Sequence, residues 1–171
     1  MSENNVFWNY AVAIYSTPAT AELCLRLQNR YQLSVNSLLF ALWLAEQGRV
    51  LPATLDDSHV REWRENVLEP LRLLRYQLRQ SKQSRTEDDC YQQLKKAELA
   101  AERVESGLLY ELREQCPDVS GAGGEAEGLS DLNTQGYLNL CAAAGCEPGM
   151  AGDLQALLRQ LVDKAIGCSG N

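Results

Sequence analysis

Apolar residues recur every three or four positions along almost the whole chain, the spacing of one face of an α-helix. Phe7, Tyr10, Ala11, Ile14 and Tyr15 form the first stripe, behind Asn4 or Asn5 as a cap. Thr17-Pro18 reads as an N-cap followed by proline at the first helical position. The stripe of Ala21, Cys24, Leu25, Gln28 and Tyr31 follows it. Ser34 caps a third predicted helix through Leu38, Leu39, Leu42 and Trp43, which stops at Gly48. That helix is apolar almost all round, so it is predicted to be the central and most buried element.

A long fourth helix is predicted from Asp56 or Asp57. Val60, Trp63, Val67, Leu71, Leu74 and Leu78 share one of its faces, and Pro70 is expected to kink or split it. Ser84 or Thr86, followed by Glu87, Asp88 and Asp89, marks a strong start for a fifth helix. Its stripe runs through Cys90, Leu94, Ala97, Ala101, Val104, Leu108 and Leu112 and ends before Pro117. Residues 117–129 are rich in glycine and acid and read as a flexible linker. Ser130 is a candidate cap for a sixth helix ending at Gly145, and Pro148 to Ile166 gives a last amphipathic helix. No strand-like alternation competes. The expectation is an all-α chain: a compact bundle of about five helices over 1–116, a linker at 117–129, and a C-terminal helical hairpin over 130–171.

The 171 residues suffice for one core without disulfides or metal. Six cysteines (24, 90, 116, 141, 146 and 168) include no CxxC pair, and His59 is the single histidine, so zinc-ligand spacing is missing. The N-terminus lacks a signal-peptide pattern, and the longest uncharged runs fall short of the roughly 18 residues that read as a membrane span. The expected setting is cytoplasmic, with reduced thiols that behave as small hydrophobes. No cofactor is expected.

Net charge is −7, which argues against a general electrostatic grip on nucleic acid or anionic membrane. The charge is unevenly placed: residues 1–85 carry net +2 and residues 86–171 net −9. Arg72, Arg75, Arg79 and Lys82 form one helical stripe, which Arg61 and Arg64 extend upstream. If the fourth and fifth helices are antiparallel, Glu98 falls near Arg72, and Glu102 and Glu105 fall near Arg64 and Arg61. Arg75, Arg79 and Lys82 then stay available to an acidic protein partner. Self-association through the C-terminal helices is a further expectation. The run Leu154-Gln155-Ala156-Leu157-Leu158 reads as the core face of the last helix.

Seven of the twelve aromatic residues fall in the first 43 positions and are expected to form core. Polar residues inside this block are the alternative site: Gln28, Asn36 and Arg49, if convergent, make a pocket for a small anionic ligand. The chain has no GxSxG motif, no phosphate-binding loop and no Glu-x-x-His pair for a di-iron site, so no catalytic residue is assigned. The reading is a non-enzymatic interaction or regulatory module, with a small-molecule-binding protein or enzyme as the alternative.

The stretch Phe7-Trp8, Ala11-Val12, Tyr15, Pro18, Cys24-Leu25, Leu27-Gln28, Val35-Asn36, Leu38-Leu39-Phe40, Leu42-Trp43-Leu44-Ala45 and Gly48-Arg49 resembles a family of small uncharacterised proteobacterial proteins. The resemblance continues more loosely through Trp63, Val67, Pro70-Leu71-Arg72 and Glu98-Leu99, covering roughly residues 6–112. Ala19 and Ser34 stand where that family usually has glycine and aspartate, and both keep the local helix physics. The resemblance implies a bacterial cytoplasmic setting and no enzymatic activity, cofactor or catalytic residue.

Overall fold

A computed structural model describes residues 5–119 and 132–168. The described residues are helical and contain no strand; an isolated antiparallel bridge joins Arg49 and Asp118. The chain is all-α. Among the described residues eight helices follow in order: α1 Val6–Tyr15, α2 Pro18–Tyr31, α3 Val35–Glu46, α4 Ser58–Trp63, α5 Glu69–Ser81, α6 Arg85–Leu112, α7 Leu132–Ala144 and α8 Asp153–Cys168. A π-helical turn, Arg64–Leu68, joins α4 to α5, and a 3-10 turn, Arg113–Gln115, follows α6.

The helix ends follow local chemistry. The Asn5 side chain accepts from the N–H groups of Phe7 and Trp8, which settles the first cap on Asn5. Ser34 Oγ accepts from Ser37 N at 3.3 Å. Gly48 lies past the end of α3 with φ +67°, a left-handed conformation that disfavours any side chain. Ser84 and Glu87 form a reciprocal capping box: Glu87 N donates to Ser84 Oγ, and the Glu87 carboxylate accepts from Ser84 N at 2.8 Å. The Gln83 N–H, with the hydroxyl and N–H of Ser84, donates to the Glu87 carboxylate and holds it below its usual range. Pro70 does not break the fourth element. The π turn lies directly before it, where a wider backbone relieves the clash of the proline ring with the carbonyl one turn back.

The last helix begins at Asp153 rather than Pro148. Residues 148–152 form a turn that includes Gly149 and Gly152, and Tyr137 donates its hydroxyl proton to Pro148 O at 3.0 Å. The expected Ser130 cap and residues 120–129 of the expected linker lie outside the described residues.

The chain divides into two compact units. One is Asp56–Leu109; the other joins the segment ending at Leu55 to the segment starting at Tyr110. This grouping differs from a boundary at 116 because α7 packs on α3, while α8 packs on α2 and α7. In this unit α3 is the centre, with every residue from Leu38 to Ala45 buried. Phe7, Phe40 and Trp43 pack around it with ring centroids 5.4–6.1 Å apart, and Trp43 reaches Tyr110 at 5.6 Å. A Cβ built on Gly136 of α7 would meet Val162 at 3.4 Å and Leu42 at 3.7 Å, so a small residue lets these helices approach closely. Leu157, Leu158, Leu161, Val162 and Ala165 of α8 are buried, so the Leu154–Leu158 run supplies core as expected.

Candidate functional site

In the unit Asp56–Leu109, α4, the π turn and α5 run up one side and α6 returns down the other. The turn between them is short, from Lys82 to Ser84, and ion pairs set the register. Arg72 Nε lies 3.3 Å from Glu98 Oε1, and its Nη2 lies 2.8 Å from Glu102 Oε1. Arg75 grips the Glu98 carboxylate with two nitrogens, one at 3.1 Å. Arg64 Nε pairs with Glu105 Oε1 at 2.5 Å, and Glu105 is 1% exposed. Trp63 Nε1 donates to Ala101 O at 3.0 Å.

Burial disfavours the charge on Arg72, but its pairs with Glu102, Glu105 and Glu98 outweigh that and raise its pKa above the ordinary value. The bond to Glu98 likewise pushes the Arg75 pKa up against the cost of burial. Burial raises the Glu102 carboxyl, opposed by Arg72.

The antiparallel pairing is present, but one contact register differs from expectation. Glu98 meets Arg72 as expected. Glu105 meets Arg64 rather than Arg61, Glu102 meets Arg72, and Arg61 pairs with Asp57 at 2.7 Å. The π turn accounts for the shift: its extra residue per turn displaces every position upstream of it relative to α6.

Two residues of the expected basic strip also have internal partners. Arg75 is paired with Glu98, and Lys82 with Asp88. Each also sits over an aromatic ring, Arg75 over Tyr76 at 4.4 Å and Lys82 over Tyr91 at 4.5 Å. The expectation that all three cations stay available is therefore corrected. Long α6 places Glu98 and Asp88 within their reach. Arg79 is exposed, and no ion pair joins it to any described residue.

The three residues of the expected pocket all belong to the second unit. Gln28 is half-buried on α2 and Asn36 half-buried in the first turn of α3. Arg49 donates from Nη1 to Arg113 O at 2.6 Å and to Cys116 O at 3.0 Å. Its guanidinium thus ties down carbonyls at the C-terminal end of α6 and the turn after it, an end that needs donors. An open cavity of about 290 Å³ lies elsewhere, lined by Asn133, Thr134, Tyr137, Arg159, Val162 and Asp163. There the Arg159 guanidinium stacks on the Tyr137 ring at 3.9 Å.

The polar centre of the second unit is Asn139, a residue the sequence reading did not single out. Its Nδ2 donates to Ala41 O at 3.1 Å and Arg49 O at 2.9 Å; its Oδ1 accepts from Leu51 N at 2.9 Å and Gln135 Nε2 at 2.8 Å. The one available signal is Gln135 and Asn139, four apart on one face of an uncharged run.

The described residues contain no group of three or more His, Cys, Asp or Glu side chains able to hold a metal ion. None of their helices is long and apolar enough to cross a membrane. Cys24, Cys116 and Cys141 are buried free thiols, and Cys90 is exposed. Burial pushes the Cys24 thiol up to about 12 and the Cys116 thiol up to about 11, so neither is a thiolate at neutral pH. A short iodoacetamide pulse on the native protein is expected to label Cys90 and spare Cys24, Cys116 and Cys141, read by peptide mass spectrometry. Prompt labelling of Cys24 would show that the core around α2 opens readily.

These features define a small all-α protein with a centrally buried helix and an ion-paired helical hairpin. The chain belongs to a family of proteins of unknown function, DUF2390, whose profile matches residues 6–109. No curated protein and no solved structure matches it.

Proposed function

We propose that the protein is a non-enzymatic interaction module of the bacterial cytoplasm, and that the hairpin α5–α6 is its docking element. One observation carries this reading: the hairpin keeps an uncharged flank, half-buried at Leu71 and Leu78 and open to solvent at Leu74, while Arg64, Arg72, Arg75 and Lys82 are used on internal pairs. On α5 the positions Leu71, Leu74 and Leu78 repeat at helical spacing, with Val67 of the π turn one turn before them. Of these, Leu74 is 51% exposed, and no residue of α5 is fully buried. An amphipathic helix with part of its apolar side left uncovered is what helix-docking surfaces look like. Ion pairs across the seam fix its shape before any partner arrives, which lowers the ordering cost of association. The free thiols, three of them buried in the core, support a reducing compartment.

An acidic partner at Arg75, Arg79 and Lys82 has less support. Arg75 and Lys82 would have to give up bonded carboxylates, which leaves Arg79 as the accessible cation. A photo-crosslinking residue placed at exposed Gln77, on the apolar side of α5, tests the docking reading in cells producing the full chain. The expected result is a discrete crosslinked species that disappears with Leu74→Glu. No crosslink from position 77 would remove the reading.

A further inference from the structure

Resting on that reading, we infer that the occupant of the flank is a second copy of this chain, and that two hairpins close into a four-helix bundle. The argument starts from charge. Along α5 the positions 70, 71, 74, 77, 78 and 81 carry no ionisable charge, nor does position 67 in the π turn before it. Along α6 the same spacing from 90 to 108 carries none either. Arg72 and Arg75 point from α5 into the seam at Glu98 on α6, and in an antiparallel pair of right-handed helices the two uncharged flanks then turn to the same side. Trp63, which reaches Ala101 O, lies along this side. A face with no charge meets its own copy without opposing like charges or stripping water from an ion.

Shape points the same way. The α5 half of the flank is a ridge of leucines, Leu71, Leu74 and Leu78. The α6 half is shallow, with exposed Ala97 and Ala100. The pairs Arg72–Glu98 and Arg75–Glu98 put Leu74 at the level of Ala97 and Ala100. A two-fold axis along the hairpin lays α5 of one copy over α6 of the other at unchanged height, antiparallel. Each leucine ridge then drops into the partner's alanine groove, the large-on-small fit that antiparallel four-helix bundles use. The other side of the hairpin also exposes apolar residues, Leu73, Tyr76 and Leu99, but it does not fit itself this way, because charge is interleaved there: Glu69 on α5, and Lys95, Lys96 and Arg103 around Leu99 on α6. The α8 apolar face is already buried within its own unit, so the C-terminal helices offer less to a second copy.

Sedimentation of the purified full chain across the micromolar range tests the inference. The expected result is a species of twice the chain mass that becomes monomeric with Leu74→Glu and, independently, with Ala97→Glu. Both sites are exposed, so circular dichroism should be unchanged. Leu99→Glu, at a site of equal exposure on the other flank, is expected to leave the dimer intact. Cys90 lies on the uncharged flank and is expected to alkylate several-fold more slowly in the dimer. A chain that is monomeric throughout, or a dimer indifferent to both glutamates, overturns the inference. If the chain is monomeric yet position 77 still crosslinks to another protein, self-association falls and the docking reading stands. If neither is seen, both fall.

Discussion

Asn139→Asp is expected to destabilise the protein by about 2–4 kcal/mol, seen as a lower midpoint in urea unfolding. The substitution is nearly isosteric, so packing is left almost intact. What changes is chemistry: the two N–H bonds that now reach Ala41 O and Arg49 O become an oxygen facing two carbonyl oxygens. Asn139 is 1% exposed, so water cannot take over either role. The bonds from Leu51 N and Gln135 survive in form but now hold a buried anion. Protonation of the new carboxyl removes that anion, so the deficit relative to wild type should shrink as pH falls toward 5. A deficit that stays constant with pH would mean the loss comes from the missing donors alone. An unchanged midpoint would show that Asn139 does not pin the segment after α3.

The second large effect belongs to the hairpin seam. Arg72→Leu with Arg75→Leu is expected to cost about 3–5 kcal/mol, because Glu98, 8% exposed, loses both guanidinium groups that hold its carboxylate. Adding Glu98→Leu should return the part of that loss that falls on Glu98, since a buried ion pair replaced as a whole by apolar groups is often neutral, while Glu102 still lacks its Arg72 partner. The comparison separates two roles. If the triple variant recovers most of the lost stability, the pairs to Glu98 serve helix register and not net stability. If it stays as unstable as the double variant, the pairs contribute stability outright. Thermal unfolding of the three proteins side by side gives the answer.

Much of the fold was legible in the pattern of side chains because the signals are local. Ser34, Gly48 and the Ser84–Glu87 capping box act on backbone groups within four residues, so their positions announce the helix ends directly. The run from Leu38 to Ala45 is apolar on all sides, which leaves burial at the centre as its one favourable environment. The opposite signs of the stripes on α5 and α6 were enough to pair the two helices.

The site was harder to read. Arg49 beside Gly48 looked like a ligand group, yet it bonds carbonyls more than sixty residues away. Gln28 and Asn36 stand out in the sequence for lying in the aromatic block, whereas the amide at the polar centre is Asn139, nearly a hundred residues from its acceptor Ala41. Lys82 and Arg75 read as free cations because the length and register of α6 are set by tertiary packing, and the π turn moves the upstream register again.

The sequence by itself determined that this protein is all-α, where most of its helices begin and end, and which helix is central. Capping and periodicity act within one or two turns, and that range lies inside the reading window. Only the tertiary structure decided that α7 and α8 join α1–α3, that Asn139 and Arg49 serve the backbone, and that the uncharged flanks of α5 and α6 share one side. Each of these depends on which distant surfaces meet and at what height, a choice made by packing between helices and not by the residues of any one of them.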